Sequence, residues 1–452
     1  MAAIVTNKFR LNNAEQFYES FSEASTSFYL FVGRSQPWTS TTPYGGGSDT
    51  APPTPLDNVD DEYMYFRDML AAKRIAAADI QYAIPRHNWT SGTIYDYYRG
   101  DYGSQWSSTV TDIVKTVNNG TNLWASTTLF YVLSSLNNVY KCMRNSPGAP
   151  TVGGGSAVAS TVEPTGTSTS EFTTSPDNYV WKYMYTLSTT QTTNFMTTDF
   201  IAVTTDSTVA SAAVPGAVGQ YIVANGGAGY TYGTVNLGSS YTFSDTALSS
   251  ASSMGSGSSG AVAVVVSPKN GHGYAAMDEL GGHYVLLRAT LTGAEGDDVL
   301  AGNDFRNISI VIDPTTYGTS TVASTSTYRQ TYATKLTSTS GTFSVDEKIT
   351  QASTAAIGKV VEWDSTLSIL YYQQERYADY GTNSTTGAYV AFSGANQITG
   401  ATSSAVGTPD AAADSAVSLS GGSTISFSDG YANPELQPDS GNIIYRENRK
   451  PI

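Results

Sequence analysis

Cysteine is all but missing from this chain: Cys142 is one thiol among 452 residues, so no disulfide can form within it. Histidine is nearly as scarce. His87, His272 and His283 lie far apart, and none stands beside another histidine or the cysteine at a ligand spacing. Structural zinc and a histidine-based triad both need such groupings, and neither is expected. Charged residues make up only 13% of the chain, with 23 Lys and Arg against 38 Asp and Glu. The net charge of -15 speaks against a nucleic-acid partner, because affinity for phosphates comes from a basic face. No apolar run approaches the ~20 residues that span a bilayer, so no membrane insertion is expected. The opening residues, Met1 to Arg10, hold no basic segment followed by an apolar one, so no secretory leader is expected either.

The chain is rich instead in glycine and tyrosine, 42 and 31 residues, beside abundant Ser and Thr. That composition suits β-sheets whose outer faces carry hydroxyls, and it is too aromatic and too weakly charged for disorder. Over the first two hundred residues helical and strand patterns mix. Phe17 and Phe21 share one helical face, with Asn12 or Asn13 as its cap. Residues 27–32 alternate as a strand ending at Gly33, and the proline-rich stretch 39–55 is a loop. A helix is predicted over 60–78, with Met64, Phe66, Met69, Leu70 and Ile75 as its apolar stripe and the acids of 57–62 at its start. Strands are predicted at 129–133, 138–142 and 179–187, the last with Tyr179, Trp181, Tyr183 and Tyr185 on one face.

Beyond about residue 203 the character changes. Residues 205–283 are almost uncharged, with two Gly-bearing turns, 225–230 and 270–274, framing a strand-like run at 260–266, and read as one β-rich insert. A second β-rich insert, 315–437, hides a repeat. Phe343, Ile349, Ala356 and Gly358 recur as Phe392, Ile398, Ala405 and Gly407 at a constant offset of 49 residues. A constant offset marks a structural repeat, each copy a hairpin unit with Phe and Ile inward, together a small sandwich or barrel.

Motifs for chemistry are weak. Gly255-Ser256-Gly257-Ser258-Ser259-Gly260 fits a dinucleotide fingerprint by letter, but a Ser/Ala-rich stretch precedes it and a β-branched run follows, where the fingerprint needs a strand before and a helix after. Acidic groups at Asp57, Asp60, Asp61, Glu62 and at Glu295, Asp297, Asp298 lack the spacing of a calcium loop, and read as a helix start and a solvated turn. No catalytic residue, cofactor or metal is expected. Trp38, Trp89 and Trp181, with Arg34, Arg86 and Lys182 nearby, are either core anchors or interface hot spots.

Six phrases in fixed order carry the strongest signal. They are residues 3–10 (AIVTNKFR), 31–38 (FVGRSQPW), 82–89 (YAIPRHNW), 179–183 (YVWKY), 305–312 (FRNISIVI) and 444–452 (IYRENRKPI). Together they make the chain resemble the dimeric baseplate wedge subunit of T-even-type contractile-tailed phages, over residues 1–204, 284–314 and 438–452. The resemblance implies an α+β, β-dominated fold: a mixed α/β core domain with two β-rich, sandwich- or barrel-like inserted domains at 205–283 and 315–437. It implies a structural, non-enzymatic part of the virion, assembled in the host cytoplasm into the tail baseplate. Its implied partners are a second copy of itself, the elongated wedge backbone protein, the trimeric fibre-connecting protein and other wedge proteins. Arg34, Trp38, Trp89, Tyr179 and Trp181 are then the interface candidates. The family runs somewhat past the phrase that ends here at Ile452, so against its pattern a C-terminal strand is expected to be missing from this sequence. A rival reading makes the two β-rich inserts a module that binds a receptor or glycan.

Overall fold

A computed structural model describes residues 7–23, 25–38, 46–98, 128–145, 158–213, 220–225, 235–236, 242–243, 262–266, 280–282, 284–292, 296–300, 304–374 and 389–451. Strands dominate and helices are short, an α+β fold rich in β. The chain forms two compact units, Met1–Glu19 with Ile80–Arg288, and Ser20–Asp79 with Ala289–Ile452. The G-x-G-x-x-G motif, His272, His283 and the turn at 270–274 lie outside the described residues.

In the first unit the helix Asn7–Ser20 starts earlier than its asparagines suggest. Leu11 and Ala14 are buried, so the apolar face runs through the polar pair instead of starting after it. A three-stranded antiparallel sheet has Ile80–Pro85 at its centre, between Tyr284–Leu287 and Phe200–Ala202. A four-stranded sheet runs in the order Tyr131–Leu133, Asn138–Arg144, Val180–Thr186, Phe172–Thr173. Its middle strands are buried on both faces, which is why they read as unbroken aromatic and aliphatic runs. Tyr179, Trp181 and Tyr183 share one cluster, but Tyr185 belongs to the other, with Ile84, Val139 and Ile201. A register shift sets Val139 opposite Tyr185 and Tyr140 opposite Tyr183, and this bulge turns Tyr185 away from the predicted common face. The strand Val262–Val266 pairs with Gln220–Asn225.

The second unit is built on a five-stranded antiparallel sheet, ordered Thr327–Arg329, Met69–Ile75, Phe28–Gly33, Asn307–Ile312, Asn442–Asn448. The helix predicted over 60–78 is only Val59–Asp68, capped by Asn58, whose side chain accepts from the Asp61 amide. Met69–Ile75 is a strand, not a continuation of the helix. Between two neighbouring strands its first four residues, Met69 to Ala72, are apolar and buried on both faces, and such a run looks helical or extended equally, while Lys73 is half-buried and Arg74 exposed. Gly33 makes the close approach possible: a Cβ there would lie 2.5 Å from the Asp68 carbonyl oxygen.

The 49-residue repeat folds as a closed barrel. Strands Tyr332–Ser340, Lys348–Gln351, Ala356–Asp364, Ile369–Gln373, Ile398–Gly400 and Val406–Pro409 all pair antiparallel in one ring. Thr350 pairs with Thr399, its own repeat equivalent, so a local two-fold axis passes between them. Phe343, Ile349, Ala356, Phe392, Ile398 and Ala405 fill the interior. Glycine recurs at 358 and 407 for one reason: a Cβ would meet Phe392 at 2.8 Å in one copy and Leu336 at 2.7 Å in the other.

Polar bonds keep the same symmetry with different residues. Glu347 accepts from Ser344 N (2.7 Å) and Ser403 Oγ (2.6 Å), while Gln351 Oε1 accepts from the equivalent Ser393 N (3.0 Å) and Thr354 Oγ1 (2.7 Å). Burial works to raise the Glu347 pKa, and its bonds from Ser403, Ser344 and Thr402 outweigh that and hold it below the usual glutamate value. A carboxyl depressed in the folded state adds stability above its unfolded pKa, and that stability is lost as pH falls through the folded one. Glu347→Gln should therefore cost ~1–3 kcal/mol at neutral pH, the gap from wild type closing below about pH 4. Urea midpoints measured across pH 3–7 check this; a gap independent of pH would refute it.

Candidate functional site

Three of the six phrases, far apart in sequence, converge in the second unit. Trp38 donates its indole N–H to the Arg449 carbonyl at 2.9 Å, and the Arg34 guanidinium lies 4.2 Å over the Trp38 ring. Arg34 also pairs with Asp68 at 3.1 Å and donates to the Pro37 carbonyl at 3.2 Å. Arg306 grips Asp49 through Nε (3.0 Å) and Nη2 (2.9 Å), meets Asp304 at 2.9 Å, and donates to the Ser35 carbonyl. Backbone bonds stitch the same three segments: Arg306 N to Gly33 O (2.9 Å) and Arg449 N to Arg306 O (2.8 Å). Tyr65 Oη donates to Asn448 Oδ1 at 2.6 Å, and Arg446 Nη2 to the Leu56 carbonyl at 2.7 Å.

Electrostatics follow from these pairings. The Arg306 guanidinium holds the Asp49 carboxyl below its usual pKa. Burial opposes the Arg306 charge, but Asp49 and Asp304 more than offset it and raise its pKa. Ser35 Oγ donates to Asp346 at 2.8 Å, and Lys359 pairs with Asp346 at 3.0 Å, so the barrel is tied into the clasp. Burial lowers the Lys359 pKa despite that partner.

Two further phrases meet in the first unit. His87 stacks on Tyr131 with centroids 4.7 Å apart, and burial pushes its pKa down to about 4, leaving it neutral at physiological pH. Trp89 donates its indole N–H to Ser160 Oγ at 3.0 Å, and Ser160 Oγ bonds Asp177. Burial works to raise the Asp177 pKa, but bonds from Thr174 and the Thr161 and Val162 amides lower it overall. Tyr179 stacks on Trp181 at 5.3 Å and donates to the Val158 carbonyl at 2.5 Å.

Of the five interface candidates, Arg34, Trp38, Tyr179 and Trp181 are buried within the chain, and Trp89 is partly so. The structure joins Arg34 to Trp38 and, separately, Tyr179 to Trp181. Each of these side chains makes its contacts within the chain. Asp49, Asp68 and Lys359 escaped sequence reasoning, because nothing local marks an acid or lysine that pairs across hundreds of residues. Of the acidic groups, Asp61 accepts from Leu56 N at the helix start, while Asp297 takes Gly421 N and Asp298 takes Thr327 Oγ1. Among the described residues no group of three or more His, Cys, Asp or Glu is placed to hold a metal. No described helix is long and apolar enough to cross a membrane.

Comparison with known proteins gives the same direction as the phrases. The family described as Bacteriophage T4, Gp8 matches residues 3–238, just over half the chain. The baseplate wedge protein gp8 of Enterobacteria phage T4 is 27% identical over 221 residues, 44% of this chain. The match spans 60% of that relative's length.

Proposed function

The chain belongs to the family of bacteriophage T4 Gp8, and from that membership we propose that it is a structural, non-enzymatic component of a phage tail baseplate wedge. It is carried in the virion as a homodimeric scaffold that links neighbouring wedge proteins, among them the elongated backbone protein and the trimeric fibre-connecting protein. Residues 205–283 and 315–437 act as β-rich insertions on a core made of 1–204, 284–314 and 438–452. What supports the scaffold reading is where the charges and aromatics go. Arg34, Arg306, Trp38 and Trp181 are used to brace the chain against itself, as a part that transmits load requires. Two copies would pair about a two-fold axis, through an extensive interface of the permanent kind.

Sedimentation of the purified chain, alone and mixed with its neighbouring wedge proteins, tests this directly. The expected result is a dimer that co-sediments with those neighbours. A monomer with no affinity for any of them would overturn the reading, as would release of saccharide or peptide from host envelope by the purified protein.

A further inference from the structure

We propose, resting on the homodimer reading above, that two copies meet through the open face of the five-stranded sheet. One face is spent: Tyr29, Phe31, Met69 and Val311 pack there with Phe66 and Ile443. Strand alternation and register put Leu30, Val32, Ile308, Ile310 and Ile312 on the other face, with Tyr445 opposite Ile310. There Leu30, Val32, Ile308 and Ile312 stay partly exposed. Ile444, the extra residue of a bulge, and Tyr445 are 42% and 46% exposed. Phe28, Ala71, Ile75 and Ile310 on this face are already buried, so the open part is the apolar area of Leu30, Val32, Ile308 and Ile312 with the edge strand, and there another layer can be laid.

Charge selects a second copy as the occupant. Two chains of net charge -15 repel, so they must meet where that charge is absent. The strands Phe28–Gly33 and Asn307–Ile312 contain no Asp, Glu, Lys or Arg. Opposite signs border this neutral centre: Lys73 beside Leu30 on one margin, Glu447 beside Ile308 on the other. A two-fold axis running between the two central strands turns each margin over the other. It carries Lys73 of one copy toward Glu447 of the second, and Glu447 toward Lys73. Such a patch is complementary to itself, which a two-fold contact demands.

Sedimentation equilibrium of the full chain at low micromolar concentration decides the matter. The double variant Ile444→Lys/Tyr445→Lys changes only exposed side chains, so its fold, checked by circular dichroism, should persist while dimer affinity falls roughly 100-fold. Glu447→Lys should weaken the dimer, and adding Lys73→Glu to it should restore affinity. Leu136→Lys, an exposed apolar position in the first unit, should leave the dimer unchanged. Folded lysine variants that remain fully dimeric would overturn the surface, and so would a dimer that splits on Leu136→Lys. If those variants stay dimeric but no longer join other wedge proteins, the occupant is a different protein and the proposal fails. A wild-type monomer would instead sink the homodimer reading itself.

Discussion

Arg306→Met should lower the stability of the second unit by ~2–3 kcal/mol, with Arg306→Lys falling between it and wild type. The guanidinium is 4% exposed and serves four acceptors drawn from three segments: two oxygens of Asp49, one of Asp304, and the Ser35 carbonyl. Methionine preserves the apolar stem and deletes all four bonds. Breaking a fully buried pair costs ~3–5 kcal/mol because a charge is stranded, but Asp49 is 32% exposed and Asp304 57%, so both recover some water and the loss is smaller. Lysine keeps the charge without the planar fork that meets Asp49 through two nitrogens at once.

A double-mutant cycle with Asp49→Asn separates the ion pair from the packing. The pair contributes only while Asp49 is ionised, and its folded pKa lies below the usual aspartate value. Its share is therefore present above the unfolded pKa near 4 and is lost as pH falls through the folded one. Urea unfolding of the four proteins of the cycle should show coupling of ~1 kcal/mol or more at pH 7, shrinking steadily as pH falls below about 4. Additive losses at pH 7 would mean that Arg306 acts through Asp304 and the Ser35 carbonyl and not through its pair with Asp49.

Sequence patterns reached some levels of this architecture and not others. Alternation located the strand near 28, and runs of large apolar and aromatic residues located those near 139 and 180, because a pleated, buried surface selects such residues; the strand Asn307–Ile312 was visible only as a phrase. The duplicated barrel was legible through Phe343, Phe392, Gly358 and Gly407, since one interior imposes one set of sizes twice. Met69–Ile75 was misread as helix because a strand buried on both faces loses its alternation. Tyr185 was assigned to the wrong face because a bulge has no signature in residue type. The clasp was visible only as unexplained phrases. Trp38 and Arg449 are 411 positions apart, and a hydrogen bond at that separation leaves no periodic trace in either neighbourhood.

Trp181→Ala should be the most damaging single change in the first unit, costing ~3–5 kcal/mol. The indole is fully buried, stacked on Tyr179 and met edge-on by Tyr95 with centroids 5.7 Å apart. It sits opposite Phe172 on one neighbouring strand and Cys142 on the other, so its flanks are held by the sheet ladder and relax little into the space it leaves. Phenylalanine is the informative contrast. Among the described residues the Trp181 Nε1–H has no hydrogen-bond partner, a defect that costs ~1–3 kcal/mol. Trp181→Phe gives up part of the ring contact and removes that defect, so the two changes nearly cancel and the variant should stay within ~1 kcal/mol of wild type. Tyr179→Phe should behave oppositely. Its hydroxyl donates to Val158 O and accepts from Tyr95 N, and both lose their partner for ~1–3 kcal/mol although the shape barely changes. Denaturation followed by circular dichroism orders the three. If Trp181→Ala unfolds at the wild-type midpoint yet no longer dimerises, the side chain belongs to a subunit contact and the buried assignment is wrong.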